Sequence, residues 1–366
     1  MAETTIPAAD RLKQRLIRLI TNGGPISVAD YMAFCLADHD GGYYMTREPF
    51  GAKGDFVTAP EVSQMFGELI GIWVVSHWEA LGKPENCTIC EIGGGRGTLM
   101  SDLLRAAGKL APELLRIAHI AMVETSDRLT GVQKKKLEGA APHMAWYKSF
   151  GEIPQNTLIL VANELFDALP DHQYVKHEGR FVERMVATCN EAAPELCFTT
   201  GTGGIDPALL PKGHEATPEG TIFEASPARS ALMQQISEHI RKHKGAALLI
   251  DYGSHEAGFG DTLQALYQHA YQDVFIAPGQ ADITTHVDFA ALAQIASGLG
   301  CTTNAEEQGD FLLRMGLLSR AGQLGAGKSA SVQEQIRDDV ERLAAPNQMG
   351  SLFKVLSVTY PDLKTI

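Results

Sequence analysis

Thr88-Ile89-Cys90-Glu91-Ile92-Gly93-Gly94-Gly95-Arg96-Gly97-Thr98-Leu99 reads as a buried strand, a glycine turn and a helix start in succession. Glycines at 93, 95 and 97 allow a tight turn and close backbone approach to a ligand. Leu99, Met100, Leu103 and Leu104 then supply one apolar helical face as far as Gly108. A glycine run of this kind is a weak signal alone. Glu91 sharpens it, because an acid stands at the strand end where a nicotinamide-binding turn carries an apolar residue.

A second apolar run, Ile117 to Val123, is closed by Glu124. An acid ending the second strand of a βαβ pattern can accept both ribose hydroxyls of an adenosine. Its distance from the glycines exceeds the roughly 20 residues of a dinucleotide fold, which weighs against nicotinamide without removing it. Glu91 and Glu124 also have a plain reading as solvated strand ends. Both, however, fall at the carboxyl edge where open α/β sheets bind ligands.

With 366 residues, 45% of them apolar and 20% charged, the chain has a globular composition and ample core material. The net charge of −13 disfavours a nucleic-acid partner and suits a basic one. Cysteines at 35, 87, 90, 189, 197 and 301 lack the paired spacing of a zinc site, and no metal is expected. Cys87-x-x-Cys90 reads as core thiols, since Cys90 lies inside the first strand. No apolar stretch is long enough to insert in a membrane and no signal-peptide core is seen, so a cytoplasmic location is expected. The basic segment Arg11 to Ile20 reads as a structural first helix rather than a presequence.

The fold expected is α/β, a Rossmann-like sheet with helices on both faces, an N-terminal helical extension and an inserted β-rich segment. Its parts are an extension over 1–82 covering the cofactor site, a first core half over 83–170, the insertion over 171–240 and a second core half over 241–366. Core strands are expected at 88–92, 117–123, 143–147, 157–162 and 245–251, with a late strand near Phe311 to Met315 and a helix from about Ser331 to Leu343.

Residues just after the fourth strand face the reactive end of a ligand in such a sheet, and here Asn163-Glu164-Leu165-Phe166-Asp167-Ala168-Leu169-Pro170 follows it. Asn163 offers a donor and an acceptor, while Glu164 and Asp167 would share one side of a helical turn. Two carboxylates there suit a guanidinium; the competing reading is a capped helix start. Methyl transfer from a sulfonium mainly demands alignment, and carboxylates orient a guanidinium whose pKa exceeds about 12. A lysine acceptor stays open. The loop Gly51 to Glu68 is expected to cover the cofactor, and His286 in Gly279 to Phe289 to position substrate or act as a base, although a lone histidine is more often structural.

On these residues the chain resembles the MidA-type class I methyltransferases, a family that includes mitochondrial complex I assembly factor 7. Matching blocks are Gly41 to Met45, Gly54 to Glu68, Glu91 to Leu99, Asn163 to Pro170, Asp251-Tyr252-Gly253, Pro278 to Phe289 and Met349 to Lys354. Gly94 departs from the proline expected in much of the family. The resemblance implies an S-adenosylmethionine-dependent protein arginine methyltransferase that symmetrically dimethylates the 49 kDa (NuoD-like) subunit of respiratory complex I during assembly. It implies a cofactor site of Glu91, Gly93, Gly95, Gly97 and Glu124, with Asn163 and Glu164 at the methyl end, where Asn163 serves both cofactor and catalysis; Asp167 and His286 join the catalytic candidates from the reading of the residues above. Glu164 and the pair Thr285-His286 also look loosely like features of other protein arginine methyltransferases. The implied location is a bacterial cytoplasm, with the mitochondrial matrix as its eukaryotic equivalent. Methylation of a small molecule or another protein, a catalytically silent assembly chaperone, and a homodimer all stay open.

Overall fold

The computed structural model describes residues 8–47, 57–190, 192–361 and 363, with side chains from residue 11. The chain divides into two compact units, one from 1–56, 167–230 and 256–286, the other from 57–166, 231–255 and 287–366.

The second unit is built on a sheet of β1 (Cys87–Ile92), β2 (His119–Val123), β3 (Met144–Tyr147), β4 (Thr157–Asn163), β5 (Gly245–Ser254), β6 (Thr302–Glu307) and β7 (Phe353–Thr359). Across the sheet the order is β6-β7-β5-β4-β1-β2-β3. The first five strands are mutually parallel, and β7 runs antiparallel to both β5 and β6. A two-residue strand, Val287–Asp288, continues the parallel pairing at Gly253 and Ser254. Every residue of β1 is buried, which is why its sequence reads as an unbroken run rather than an alternation. Cys87 and Cys90 are core thiols there, and burial pushes the Cys87 thiol up to about 11.

Helices Gln64–Ala80 and Thr98–Leu110 pack on this sheet through Phe66, Leu69, Trp73, Met100 and Leu103. Gly71 permits their close crossing, since a Cβ there would lie 2.8 Å from the Leu103 carbonyl oxygen. The helix expected near 331–343 is present as Ala330–Ala344. Phe311 to Met315, expected as a strand, lies instead on the helix Gln308–Arg314 and its C-cap. A short apolar run carries no periodicity of its own, and the strand is the polar stretch Thr302–Glu307 just before it.

In the first unit, strands Ile26–Ser27, His172–His177, Arg180–Cys189, Glu195–Gly204 and Ile222–Ala225 form an antiparallel sheet, as the β-rich pattern after Asp171 predicts. A smaller sheet joins Gln264–Tyr267, Ala270–Gln272 and Asp282–Thr284. The first helix, Ala8–Gly23, buries Leu12, Leu16 and Ile20 at four-residue spacing against a core that includes Tyr31, Met32, Val186, Leu196 and Phe275. Ser27 starts the next helix, Val28–Ala37, its hydroxyl accepting the Asp30 N–H at 2.9 Å.

Candidate functional site

Strand order reverses between β1 and β4, and the carboxyl ends of these parallel strands are the edge at which such sheets take ligands. Glu91 lies one residue before the end of β1, Glu124 directly after β2 and Asn163 at the end of β4. All belong to the second unit.

Glu91 is buried, and its Oε2 has no hydrogen-bond partner among the described residues. Burial first, then the charge of Glu124, push its carboxyl up to about 8, while a bond from the Met100 backbone opposes them. A buried carboxyl with an unused oxygen suits a cationic ammonium group. Gly93, Gly95 and Gly97 all have left-handed backbone, with φ of 70°, 50° and 78°, and Gly97 caps the helix Thr98–Leu110. Gly94 does not have positive φ; its missing Cβ leaves room for the Glu91 carboxyl, which would otherwise stand 2.9 Å away.

Glu124 accepts the Ser126 N–H at 2.9 Å and the Gln133 amide at 3.0 Å, and burial raises its pKa. Gln133 also donates to the Gly95 carbonyl at 2.9 Å, so one buried side chain ties the glycine turn to the second acid. Nothing in the lysine-rich stretch around Gln133 signals this role. The loop expected to cover the cofactor lies outside the described residues as far as Phe56. Its remainder reaches the same edge: Glu61 accepts the Thr98 hydroxyl at 2.6 Å and pairs with Arg96 at 3.7 Å.

Beyond β4 the structure departs from expectation, because residues 164–170 form a turn and no helix. Glu164 and Asp167 therefore do not share a helical face, and Asn163 is not a helix cap. Glu164 takes a left-handed φ of 51° and donates its N–H to the Ile250 carbonyl at 2.9 Å. Asp251 accepts the next two N–H groups, from Leu165 at 3.1 Å and Phe166 at 2.9 Å, so the donors that would begin a helix are already used. The Glu164 carboxylate accepts from the Asn163 amide at 3.0 Å and the Ala59 N–H at 3.3 Å. The Asn163 Oδ1 is buried without a partner among the described residues.

Asp167 and His286 belong to the first unit, where Arg229 joins their backbones. Its buried guanidinium donates to the carbonyls of Asp167, Thr285 and His286, the Thr285 hydroxyl and the Asp171 carboxylate. His286 is exposed, and its pKa is lowered by packing on part of the ring and then by the Arg229 charge. Two blocks of the resemblance also meet in this unit. Gly279 lies against the Gly41 carbonyl, leaving no room for a Cβ, and Tyr44 donates its hydroxyl to Asp282 at 2.9 Å.

A seven-stranded sheet in this order with an antiparallel seventh strand, an acid-ended first strand and a left-handed glycine turn defines a class I methyltransferase fold. The chain belongs to the family described as "Putative S-adenosyl-L-methionine-dependent methyltransferase", whose model matches residues 69–306. It is 34% identical to the mouse mitochondrial protein arginine methyltransferase NDUFAF7, over 93% of this chain and 82% of that protein. The Drosophila melanogaster homologue is also 34% identical, over 95% of this chain and 84% of that protein. Among solved structures, a Burkholderia thailandensis protein bound to S-adenosyl-homocysteine superposes with a TM-score of 0.83 at 26% identity, covering 98% of this chain and 94% of that one. The chain is thus an S-adenosylmethionine-dependent methyltransferase, and the Glu91 oxygen that has no partner among the described residues fits that cofactor.

Proposed function

We propose that this methyltransferase acts on arginine in a protein, and that its substrate is the 49 kDa-type subunit of respiratory complex I, which it dimethylates symmetrically. The observation that carries the reading is Glu164, a carboxylate held by Asn163 and the Ala59 N–H in a left-handed turn directly after β4. The relatives named protein arginine methyltransferase support the acceptor class.

In this reading Glu91 receives the ammonium of the cofactor, Glu124 its ribose hydroxyls, and Gly93, Gly95 and Gly97 its close backbone approach. Bound S-adenosylmethionine supplies an electrophilic methyl group for direct displacement by a guanidinium nitrogen. Glu164 orients the guanidinium and concentrates its positive charge away from the attacking nitrogen, and Asn163 keeps the carboxylate aimed. Asp167 and His286 are assigned to acceptor recognition as well. A reducing compartment, bacterial cytoplasm or mitochondrial matrix, accords with six free cysteines and with the mitochondrial relatives. Among the described residues no helix is long and apolar enough to cross a membrane.

The test is a methylation assay on the recombinant complex I subunit, with the product mapped by mass spectrometry. Wild-type protein should yield dimethylarginine, and Glu164→Gln should lower kcat by about 100-fold while leaving cofactor affinity within about threefold. Methyl transfer only to lysine or to a small molecule would overturn the arginine reading. Normal complex I assembly in cells carrying Glu164→Gln would favour a chaperone role.

A further inference from the structure

We propose that Asp251 is a positioning residue for methyl transfer: it holds the turn that aims Glu164, and touches neither cofactor nor acceptor itself. The inference rests on the reading of Glu164 given above.

Asp251 lies in β5, next to β4, with its side chain almost wholly buried. One carboxylate oxygen accepts the N–H groups of both Leu165 and Phe166; the other accepts its neighbour Tyr252 N–H at 2.9 Å. The preceding residue in the strand, Ile250, accepts the Glu164 N–H. Three consecutive amides, 164 to 166, are therefore fixed by two consecutive residues of the adjoining strand. This anchoring coincides with Glu164, the first residue after β4, whose backbone is left-handed, a conformation uncommon for a glutamate and held here by its surroundings.

Leu165 closes the same turn from the other side. A Cβ on Gly93 would stand 2.9 Å from its Cδ1, so Leu165 rests directly on the glycine turn that follows β1. If the amides at 165 and 166 lost their acceptor, the chain after β4 would regain the freedom to take ordinary right-handed backbone at Glu164, swinging its carboxylate away from the Asn163 amide. Glu91 and the glycines would keep their places. The predicted defect is thus in the chemical step and not in cofactor binding.

Full-length Asp251→Asn and Asp251→Glu, Glu164→Gln and the double variant Asp251→Asn/Glu164→Gln would be compared for kcat, acceptor KM and calorimetric S-adenosylmethionine affinity. Asparagine keeps one acceptor atom but brings an amide toward backbone donors, whereas glutamate keeps the charge and shifts it by a methylene. Both should lower kcat by about 10-fold to 100-fold, with cofactor affinity within about threefold of wild type. The double variant should be no slower than Glu164→Gln alone. Wild-type kcat in the Asp251 variants beside a crippled Glu164→Gln overturns this inference alone. A fully active Glu164→Gln overturns the role of Glu164 and this inference with it. Equal losses in kcat and cofactor affinity, or failure of both Asp251 variants to fold, would make Asp251 merely structural; if only Asp251→Asn fails to fold, Asp251→Glu decides.

Discussion

Burial pushes the Glu91 carboxyl up to about 8, which favours its protonated form at neutral pH. In the unfolded chain it is ionised above about 4.5, so between these values the folded state binds more protons and stability should fall as pH rises. Thermal unfolding from pH 5 to pH 8, approximately the span of that shift, should show this slope, and Glu91→Gln should reduce it. A bound ammonium reverses the preference. Cofactor binding near pH 7 should then release up to about one proton, measurable by calorimetry in buffers of different ionisation enthalpy, and affinity should rise toward pH 8. An unchanged proton count in Glu91→Gln would sink the assignment. The places of Glu91, Glu124, Asn163 and Glu164 at or near strand ends are legible because residue type and strand end coincide in sequence. Asp251 was visible only as part of a block. Its role was hidden because it acts on amides 85 and 86 residues away. Arg229 and Gln133 left no pattern, since their partners are mostly backbone atoms and side chains far along the chain.

Secondary elements were most readable where the sheet is covered on both faces. The strands β1, β2, β4 and β5 read as mostly apolar runs because their central residues are buried on both faces. At the edge the signal vanishes: β6 is Thr-Thr-Asn-Ala-Glu-Glu, half exposed along its length, and reads as loop. Phe311 to Met315, shortly after it, reads as a strand because five residues cannot display a helical period. Helix crossings are as demanding as strands. Gly71→Ala should place a methyl 2.8 Å from the Leu103 carbonyl oxygen and 2.9 Å from the Ala106 Cβ. We expect about 1–3 kcal/mol of destabilisation, read as a lowered Tm. Because the strained helix begins at the glycine turn, weaker cofactor binding should accompany it; a lower Tm with unaltered affinity would separate the two.

At the scale of the molecule, the net charge of −13 favours encounter with a basic acceptor. For a peptide carrying several arginines, kcat/KM should fall as ionic strength rises from about 0.05 to 0.3 M, while a neutral analogue should show little change. Equal salt responses would argue that acceptor choice owes nothing to the long-range field. The order of elements along the chain has another consequence. β7 is last in chain order among the sheet strands, yet it lies between β5 and β6 and pairs with both. On the ribosome, β1 to β5 therefore emerge with one flank waiting for a strand still to be translated, and β6 has no neighbour until that strand arrives. A message cut short before Phe353 would leave a nascent chain with two unpaired flanks and a ready target for proteolytic clearance.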